Sequence, residues 1–371
     1  MLLGIVCVLI WLYLLLGNGG FWRVKLQSEE SERVARVVAV VPARDEADVI
    51  GAAIRSLLAQ NNVDLRVVLV DDNSTDGTAS VAHEAASWIG AEGRLTIIHG
   101  SPLPESWTGK LWAVQQGIDA ASELDPEFLL LSDADIEHAP ESVASLVAIA
   151  EAGNYDLASY MVKLQCKTVP ERLLIPAFVY FFFQLYSPKW IANPQSKVAG
   201  AAGGCMLVRP NALKRAQAMQ SIRGEVIDDC ALAREVKQTG GRVWLGLTES
   251  ARSIRPYRTF VEIERMIARS AFNQLRHSVL LLIVAIIGLM LTYVVPVILL
   301  FDPWWPFGLA ACVLMVASYW PMIRFYRLNP LWALTLPLAV IFYLVSTLDS
   351  AMRYWIGTGG QWKGRAQDRK A

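Results

Sequence analysis

Four stretches without a single charged residue constrain the fold of this chain more than any other feature of its sequence. They are residues 1–22, 278–301, 303–323 and 331–348. Roughly 20 apolar residues suffice for a helix to cross the hydrocarbon core of a bilayer. The hydrophobic fraction of 54% also exceeds the ~45–50% that is usual for soluble domains. The chain is therefore expected to be a multi-pass membrane protein.

The first stretch, residues 1–22, is interpreted as a retained transmembrane anchor. A cleaved signal peptide is the alternative, but the stretch lacks a basic region at its start, and "GNGGFW" is a poor cleavage site. Residues 278–348 then form a second membrane region of about three spans. Most charged residues lie between these regions, so residues 23–277 are predicted to be the working domain.

Basic residues predict that the working domain lies on the cytosolic side. "WRVK" follows the anchor directly, and Arg265, Arg269 and Arg276 precede the second apolar stretch, as the positive-inside rule requires of cytosolic segments. The basic tail, residues 349–371, also favours the cytosol, which conflicts with three crossings after the anchor. A re-entrant segment at 331–348, which contains Pro337, is one way to remove this conflict.

Charge balance and cysteine spacing exclude two kinds of site. The 34 basic residues equal the 34 acidic residues in number, so no nucleic acid partner is expected. The 5 cysteines show neither a CxxC motif nor the spacing of zinc ligands. Free thiols are what a reducing, cytosolic domain is expected to contain.

Within the working domain, apolar runs alternate with helix-like segments, which predicts an α/β fold with a mostly parallel, doubly wound sheet. The predicted strands are residues 37–43, 66–72, 95–100 and 128–135. Ligands of such sheets bind beyond the carboxyl ends of the strands. The functional site is therefore expected where these four runs end.

Three of the strand ends are acidic: "ARDEAD", "DDNSTDGT" and "SDADIEH". A turn or a helix N-cap explains any one of them. Together at one sheet edge, however, their carboxylates would repel one another unless a cation offset the repulsion. Hard oxygen ligands select Mg²⁺ or Mn²⁺, so a divalent metal site is predicted at Asp133 and Asp135, with open positions for the phosphates of a substrate.

Four motifs in this order resemble those of the family 2 glycosyltransferases of the GT-A fold: "VVPARDEADVI", "VDDNSTDGT", "LSDADI" and "IDDCALARE". The resemblance covers about residues 36–275. The flanking apolar segments are similar to those of ceramide glucosyltransferase and, more closely, of the glycosyltransferase associated with hopanoid biosynthesis in bacteria. This resemblance implies a GT-A, Rossmann-like domain at the bacterial inner membrane. It would move one sugar, with inversion, from a nucleoside-diphosphate sugar, preferably a UDP-sugar, to a hopanoid, polyisoprenoid or other lipid hydroxyl.

The resemblance also implies how the donor is bound. Asp45, with one or both of Asp71 and Asp72, would hold the nucleobase and the ribose. Asp133 would face the donor, touching the ribose or reaching the metal through water, and Asp135 would meet the metal directly. The ion would bridge the diphosphate and neutralise the charge that develops on the leaving nucleotide.

In "VIDDCAL" the resemblance gives Asp229 the position of the general base, while Asp228 replaces the family's usual glutamate. A helix N-cap pair is the structural alternative, and the two interpretations are compatible. Lys110 in "SWTGKLWAVQQG" is expected at a helix start, with a role in the donor or active site rather than as a solvated lysine. The glycine-rich "GAAGGCMLVRP" is either the acceptor-side wall or a tight strand.

One departure from the family concerns the Gln-x-x-Arg-Trp motif of processive members. This chain has "MIARS", which retains only Arg269 of that motif, so single transfer rather than polymerisation is expected. Arg269 would bind the diphosphate of the donor. Alternatively, it belongs to a helix that faces lipid phosphates at the membrane edge.

The aromatic segment 173–194, "LLIPAFVYFFFQLYSPKWIANP", is predicted to be an interfacial helix that brings a lipid acceptor to Asp229. An ordinary core helix is the alternative. Two other functions share some of these features. A membrane-bound nucleotidyltransferase would have a similar acidic site but normally a glycine-rich basic loop, and a degenerate, non-catalytic scaffold would not bind sugar nucleotides.

Overall fold

An eight-stranded sheet forms the centre of the working domain in the computed structural model, which describes residues 1–29 and 33–357 and the backbone of 361–362 and 365–366. The strands follow the order β3-β2-β1-β4-β7-β6-β8-β5 across the sheet. Their bounds are β1 Ala35–Ala43, β2 Val63–Asp71, β3 Leu95–His99, β4 Phe128–Ser132, β5 Ile136–His138, β6 Leu157–Lys163, β7 Cys205–Val208 and β8 Val243–Ser253. A separate antiparallel pair joins β9 Gln361–Trp362 to β10 Arg365–Ala366.

Helices cover both faces of this sheet and continue into the apolar regions. Those of the first half of the chain are α1 Leu2–Leu16, α2 Ala47–Leu58, α3 Thr78–Trp88, α4 Gly109–Ser122, α5 Ser142–Ala152, α6 Val169–Leu185 and α7 Pro188–Ala192. Those that follow are α8 Pro210–Ala216, α9 Ala218–Ser221, α10 Asp228–Gln238, α11 Phe260–Ala268, α12 Ala271–Gln274, α13 Val279–Leu289, α14 Val295–Leu299, α15 Trp305–Phe325 and α16 Leu336–Trp355.

The strands pair mostly in parallel, as the sequence predicts. β1 is parallel to both β2 and β4, and β2 is parallel to β3, whereas β7 is antiparallel to its neighbours β4 and β6. Because both faces are covered, β1, β2 and β4 each contain a continuous buried apolar run rather than an alternating pattern. The register pairs Ala43 with Asp71 and Asp71 with His99, so three strands end at one edge of the sheet.

Within the described residues, three helices are long and apolar enough to cross a membrane: Val279–Leu299, Trp305–Phe325 and Pro330–Trp355. The last helix extends past the predicted end at Leu348, so residues 349–355 of the predicted tail are helical. From residue 358 the tail lies outside the described residues, apart from the backbone of β9 and β10. The first helix, α1, has 15 residues, which at ~1.5 Å per residue is shorter than a hydrocarbon core of ~30 Å.

Helix α1 packs against a distortion in the second apolar region. Residues Met290–Val294 form one π-helical turn between α13 and α14. The indole N–H of Trp11 donates to the carbonyl of Thr292 at 2.8 Å, and the thiol of Cys7 to that of Leu291 at 3.3 Å. A π-helical turn changes the normal hydrogen bonding of a helix, and these two side chains supply donors to its carbonyls.

The aromatic segment predicted at 173–194 forms α6 and α7, and α6 lies between the working domain and the apolar helices. It begins with a capping box formed by Thr168 and Glu171. Farther along, the hydroxyl of Tyr180 is hydrogen-bonded to Ser318 at 2.7 Å, and the ring of Phe181 contacts that of Tyr293. The helix is therefore present, and its location at a membrane interface stays a prediction.

The packing of α4 on the sheet depends on Gly117. A Cβ there would lie 2.4 Å from Val40 Cγ1 and 3.0 Å from Val70 Cγ2. For Gly117→Ala, overpacking of about 1–3 kcal/mol should outweigh a gain in helix propensity of at most about 1 kcal/mol. We expect a lower Tm for this variant in detergent. Gly93→Ala is the control because its Cβ would meet nothing within 4 Å, and equal Tm values for the two variants would contradict the expectation.

Candidate active site

Asp45 joins the loops that follow β1 and β2. Its backbone is left-handed, with a φ of 50°. One carboxylate oxygen accepts from the backbone N–H of Thr75 at 2.8 Å, and its own N–H donates to the hydroxyl of Ser74 at 3.0 Å. Asp45 therefore holds the two strand ends together, and its predicted contact with a nucleobase would use the same carboxylate.

Asp71 and Asp72 are both buried at the end of β2. The carboxylate of Asp71 accepts from the N–H of Ser74, three residues on, at 3.0 Å, which caps the turn that follows β2. Arg44 donates to the backbone carbonyl of Asp72 at 2.6 Å and lies 3.6 Å from its carboxylate. Both aspartates thus have structural partners, and their contacts with a donor stay a prediction.

Lys110 links the predicted donor site to the predicted base. It lies in the first turn of α4, whose N-cap Thr108 accepts from the N–H of Leu111. Its ammonium is 3.0 Å from the carboxylate of Asp133, just after β4, and 3.1 Å from that of Asp228, in the first turn of α10. The expectation of a helix start is confirmed, and the side chain, 20% exposed, is a partly buried ion-pair partner rather than a solvated lysine.

The charges in this cluster perturb one another. Burial by itself would lower the pKa of Lys110, but Asp133 and Asp228 outweigh it and hold that pKa well above its ordinary value. Removal from water raises the pKa of Asp133, although the charge of Lys110 opposes this, and the neighbouring charges of Asp135 and Asp228 add to it. The ammonium is therefore permanently charged, and it stabilises carboxylates that would otherwise repel one another.

Asp135 is held by a second cation that the sequence analysis missed. Arg255 donates to its carboxylate at 3.1 Å and also pairs with Glu46, and the hydroxyl of Ser253 donates to Asp135 at 3.0 Å. The antiparallel pairing of Ile136 with Ser253 brings these groups together. No local motif indicates that pairing, so the sequence carries little signal for Arg255.

Asp229 accepts two backbone hydrogen bonds. The N–H of Gly203 donates to Oδ2 at 2.8 Å, and that of Cys230 to Oδ1 at 2.7 Å. Burial, followed by the charge of Asp228, raises the pKa of Asp229 to about 6. The N-cap of α10 is Ile227, so the two aspartates occupy its first turn and are not its cap.

The glycine-rich segment, residues 200–210, allows the backbone of Gly203 to come close to the carboxylate of Asp229. A Cβ on Gly203 would lie 3.3 Å from Asp229 Oδ2 and 3.6 Å from the ammonium of Lys110. The segment leads into β7, which begins at Cys205. It is a tight approach to a strand, and it also forms part of the wall beside Lys110, Asp133 and Asp228.

Arg269 is the predicted site residue that this cluster does not include. It is exposed at the end of α11 and forms no ion pair with the described carboxylates. Burial, followed by the charge of Asp135, raises the pKa of Tyr257, and the positive charge of Arg269 opposes this rise. The predicted contact of Arg269 with a diphosphate stays a prediction.

The fit of the site to a divalent cation follows from its donor set. Among the described residues, no group of three or more histidine, cysteine or acidic side chains is arranged to hold a metal. Lys110 lies closest to Oδ1 of Asp133, and Arg255 lies closest to Oδ2 of Asp135. The second oxygen of each carboxylate is left to bind a metal ion. Mg²⁺ is usually bound by one or two carboxylates together with substrate phosphates, so the residues fit an ion that arrives with a diphosphate.

Residues 38–216 match the family model described as Glycosyl transferase family 2. The chain is a family 2 glycosyltransferase. Among solved structures, the enzyme is similar to the mannosyltransferase PcManGT from Pyrobaculum calidifontis in complex with GDP-Man and Mn²⁺. The two are 18% identical over 93% of this chain and 99% of that one, with a TM-score of 0.54. This likeness confirms the predicted GT-A fold with its C-terminal apolar helices.

The glycosyltransferase is also similar to residues 1–349 of S. aureus TarS in complex with UDP-GlcNAc. The identity is 14% over 89% of this chain and 95% of that one, with a TM-score of 0.41. The family match favours a glycosyltransferase over the nucleotidyltransferase considered from the sequence.

The pKa of Asp229 generates a prediction about the pH dependence of transfer. A general base acts only when it is deprotonated, and the pKa of this carboxyl is raised to about 6, so kcat should fall as the pH drops below about 6. Asp229→Asn should lower kcat by roughly 10²–10⁴ and remove this acid limb. Kinetics from pH 5 to 8 measure both effects.

The variant Asp228→Asn provides a second test, in which the measured quantity is the pH at which activity falls. A merely structural role of Asp228 would leave that pH unchanged. Loss of the neighbouring negative charge should lower the pKa of Asp229, so the acid limb of any remaining activity should move to lower pH. Full activity of Asp229→Asn at neutral pH would assign proton transfer to another group.

Proposed function

We propose that this family 2 glycosyltransferase moves one sugar, with inversion, from a nucleoside-diphosphate sugar to a hydroxyl group of a membrane lipid, assisted by Mg²⁺ or Mn²⁺. The observation that carries the proposal is the position of Lys110. Its ammonium contacts Asp133 on the donor side and Asp228 beside the proposed base. One cation thus joins a proposed metal ligand to the neighbour of the proposed base. The aromatic helix α6 packs on the apolar helices.

Asp135 and Asp133 would hold the divalent ion through their second oxygens. Such an ion would neutralise the charge on the departing nucleotide. Arg255 and Ser253 hold the carboxylate of Asp135 in one orientation, while Asp45 and the Asp71–Asp72 pair lie where the nucleobase and ribose would bind. The GDP-Man and Mn²⁺ in PcManGT support a metal-dependent nucleotide-sugar site. Resemblance to the hopanoid-associated and ceramide enzymes favours a UDP-sugar.

Asp229 would take the proton of the acceptor hydroxyl as that oxygen attacks the sugar from the face opposite the nucleotide. The N–H groups of Gly203 and Cys230 fix both of its oxygens. Burial, followed by the charge of Asp228, raises the pKa of Asp229 to about 6, which makes it a stronger base than an ordinary carboxylate. The positive charge of Lys110 opposes this rise in pKa, so that Asp229 would stay deprotonated at neutral pH.

An aromatic pair connects α6 to this base. The rings of Phe182 and Tyr186 lie 5.1 Å apart, and the hydroxyl of Tyr186 is hydrogen-bonded to Gln274 and faces Cys230. Phenylalanine and tyrosine at the edge of apolar helices suit a lipid with a polar end. A lipid held there would reach the base already oriented, which lowers the entropic part of the barrier.

The family resemblance favours a hopanoid or another polyisoprenoid over ceramide as this lipid. It also favours the bacterial inner membrane as the location, with the catalytic domain in the cytosol. Membranes incubated with radiolabelled UDP- and GDP-sugars, followed by lipid extraction, test the proposal. Label should enter the lipid fraction in wild type and be lost in Asp229→Asn. Faster labelling of water-soluble sugars than of any lipid would refute the lipid acceptor.

Asp135→Ala should abolish Mn²⁺-dependent binding of the nucleotide sugar, measured by titration calorimetry, because it removes a proposed metal ligand at an edge of the sheet. Glu137→Ala is the matched control. It also removes a carboxylate paired with an arginine, but that arginine is the exposed Arg252 of β8, and we expect normal binding. Tight Mn²⁺-dependent binding by Asp135→Ala would reject the metal assignment.

The packing of α6 selects Phe182 for testing the acceptor site. Phe183 is only 3% exposed, and Phe181 packs against Tyr293 and Tyr343, so changing all three phenylalanines would damage the fold. Phe182→Ala should raise the apparent KM for the lipid while slow hydrolysis of the donor by water is unchanged. Trp88→Ala, an aromatic residue 86% exposed on α3, is the control. An unchanged lipid KM for Phe182→Ala would remove this residue from the acceptor site.

A further inference from the structure

The last apolar helix is long enough to cross a membrane, but its two ends contact the same domain. Just before it, Lys163 of β6 donates to the carbonyl of Phe325 at 3.0 Å, and Arg327 pairs with Glu249 of β8 at 3.3 Å. The helix therefore begins beside the catalytic domain.

Its far end returns to that domain. The hydroxyl of Ser350 donates to the carbonyl of Ala268 at 2.5 Å and accepts from the N–H of Phe272 at 3.1 Å. Arg353, near the last turn, pairs with Glu264 of α11 at 3.2 Å. A spanning helix separates its ends by the thickness of the hydrocarbon core, about 30 Å, whereas both ends of this one contact the catalytic domain.

The middle of the helix also lies along the domain. The hydroxyl of Tyr343 donates to the carbonyl of Leu174 in α6 at 3.0 Å. The ring of Phe342 lies 5.9 Å from that of Phe260 in α11. Contacts with the helices that border the domain thus continue from the middle of α16 to its end.

The two preceding apolar helices behave differently. Leu282, near the start of α13, packs with Phe272 of the domain. The chain then turns at Asp302, where Trp304 and Trp305 are exposed, and returns through α15 to Phe325 beside Lys163. Exposed tryptophans at a turn between apolar helices are typical of a membrane–water interface, so this pair has the form of a hairpin that crosses and comes back.

The exposed face of α16 and of the 3₁₀ turn before it, Pro330–Thr335, is a continuous apolar stripe. Its members are three or four residues apart, the spacing of one helix face, and each is at least two-fifths exposed: Leu334, Leu338, Ile341, Val345, Leu348 and Met352. The opposite face, with Ala339 and Val340, is fully buried. Asp349 and Arg353 pair with each other and Arg353 with Glu264, so these charges lie toward the domain.

We propose that Pro330–Trp355 lies along the membrane surface, with this stripe in contact with lipid acyl chains, and does not cross the bilayer. The inference rests on the membrane location proposed above. Lipid is the occupant that fits, because the stripe is uncharged and continues the apolar surface of the crossing hairpin. The chain after Trp355 is then on the same side as the catalytic domain, which removes the conflict between the basic tail and three crossings.

Nitroxide labels placed one at a time along the stripe of the full chain in liposomes test this orientation. Labels at Leu338, Ile341, Val345 and Leu348 should be accessible to oxygen and lie at similar depths. Labels at Ile283, Ile287 and Ile298, exposed on the crossing region, should show depths that pass through the bilayer centre. A stripe whose depths also pass through the centre would overturn the proposal, as would loss of oxygen access through contact with a second protein copy.

Reporter fusions provide an independent test. A reporter at the C-terminus of the full chain should lie on the side of the catalytic domain, and one inserted after Asp302 on the opposite side. A C-terminal reporter on the side opposite the catalytic domain would overturn the in-plane helix while leaving lipid glycosylation unaffected. Recovery of the intact chain in the soluble fraction would overturn the membrane location as well, which separates the two failures.

Discussion

The arrangement of the site depends on neutralising carboxylates that the fold places close together. Among the described residues, Glu46, Asp133, Asp135, Asp228 and Asp229 share two cationic partners, Lys110 and Arg255. Two like charges 4 Å apart repel by about 4 kcal/mol at an effective dielectric constant of 20, a large fraction of the stability of a domain. The two cations reduce this repulsion but leave an excess of negative charge. A site of this kind keeps its negative charge while the two cations hold its carboxylates in place.

Much of the architecture was predictable because its signals are local. The buried parallel strands β1, β2 and β4 contain continuous apolar runs, and the acidic turns that follow them are visible as short motifs. The turn interpretation of Asp71 was also sound, since its carboxylate caps the N–H of Ser74. Such a contact is compatible with a functional role because a carboxylate has several acceptor positions.

The remaining features could not be predicted because they depend on contacts distant in sequence. Ser253 and Asp135 are 118 residues apart, and only the pairing of β5 with β8 brings Arg255 to the site. The orientation of α16 was hidden for a different reason. Hydropathy measures how apolar a segment is and carries no information on its orientation. The orientation of α16 depends on the contacts that Ser350 and Arg353 make with the catalytic domain. The first helix is shorter than the uncharged stretch that contains it, because residues 17–22 carry no charge but lie beyond its last turn.

The contact between Trp11 and Thr292 has a consequence for how the chain assembles during synthesis. The two residues are 281 positions apart, and a ribosome that adds ~5–20 residues per second needs about 15–55 s to make the chain between them. During that interval the first helix lacks the partner that its indole and thiol donors meet in the finished protein. The catalytic domain emerges in the same interval and can fold with its N-terminal helix still undocked. Closure of the π-helical turn against Trp11 is therefore a late event, which joins the beginning of the chain to a segment made near its end.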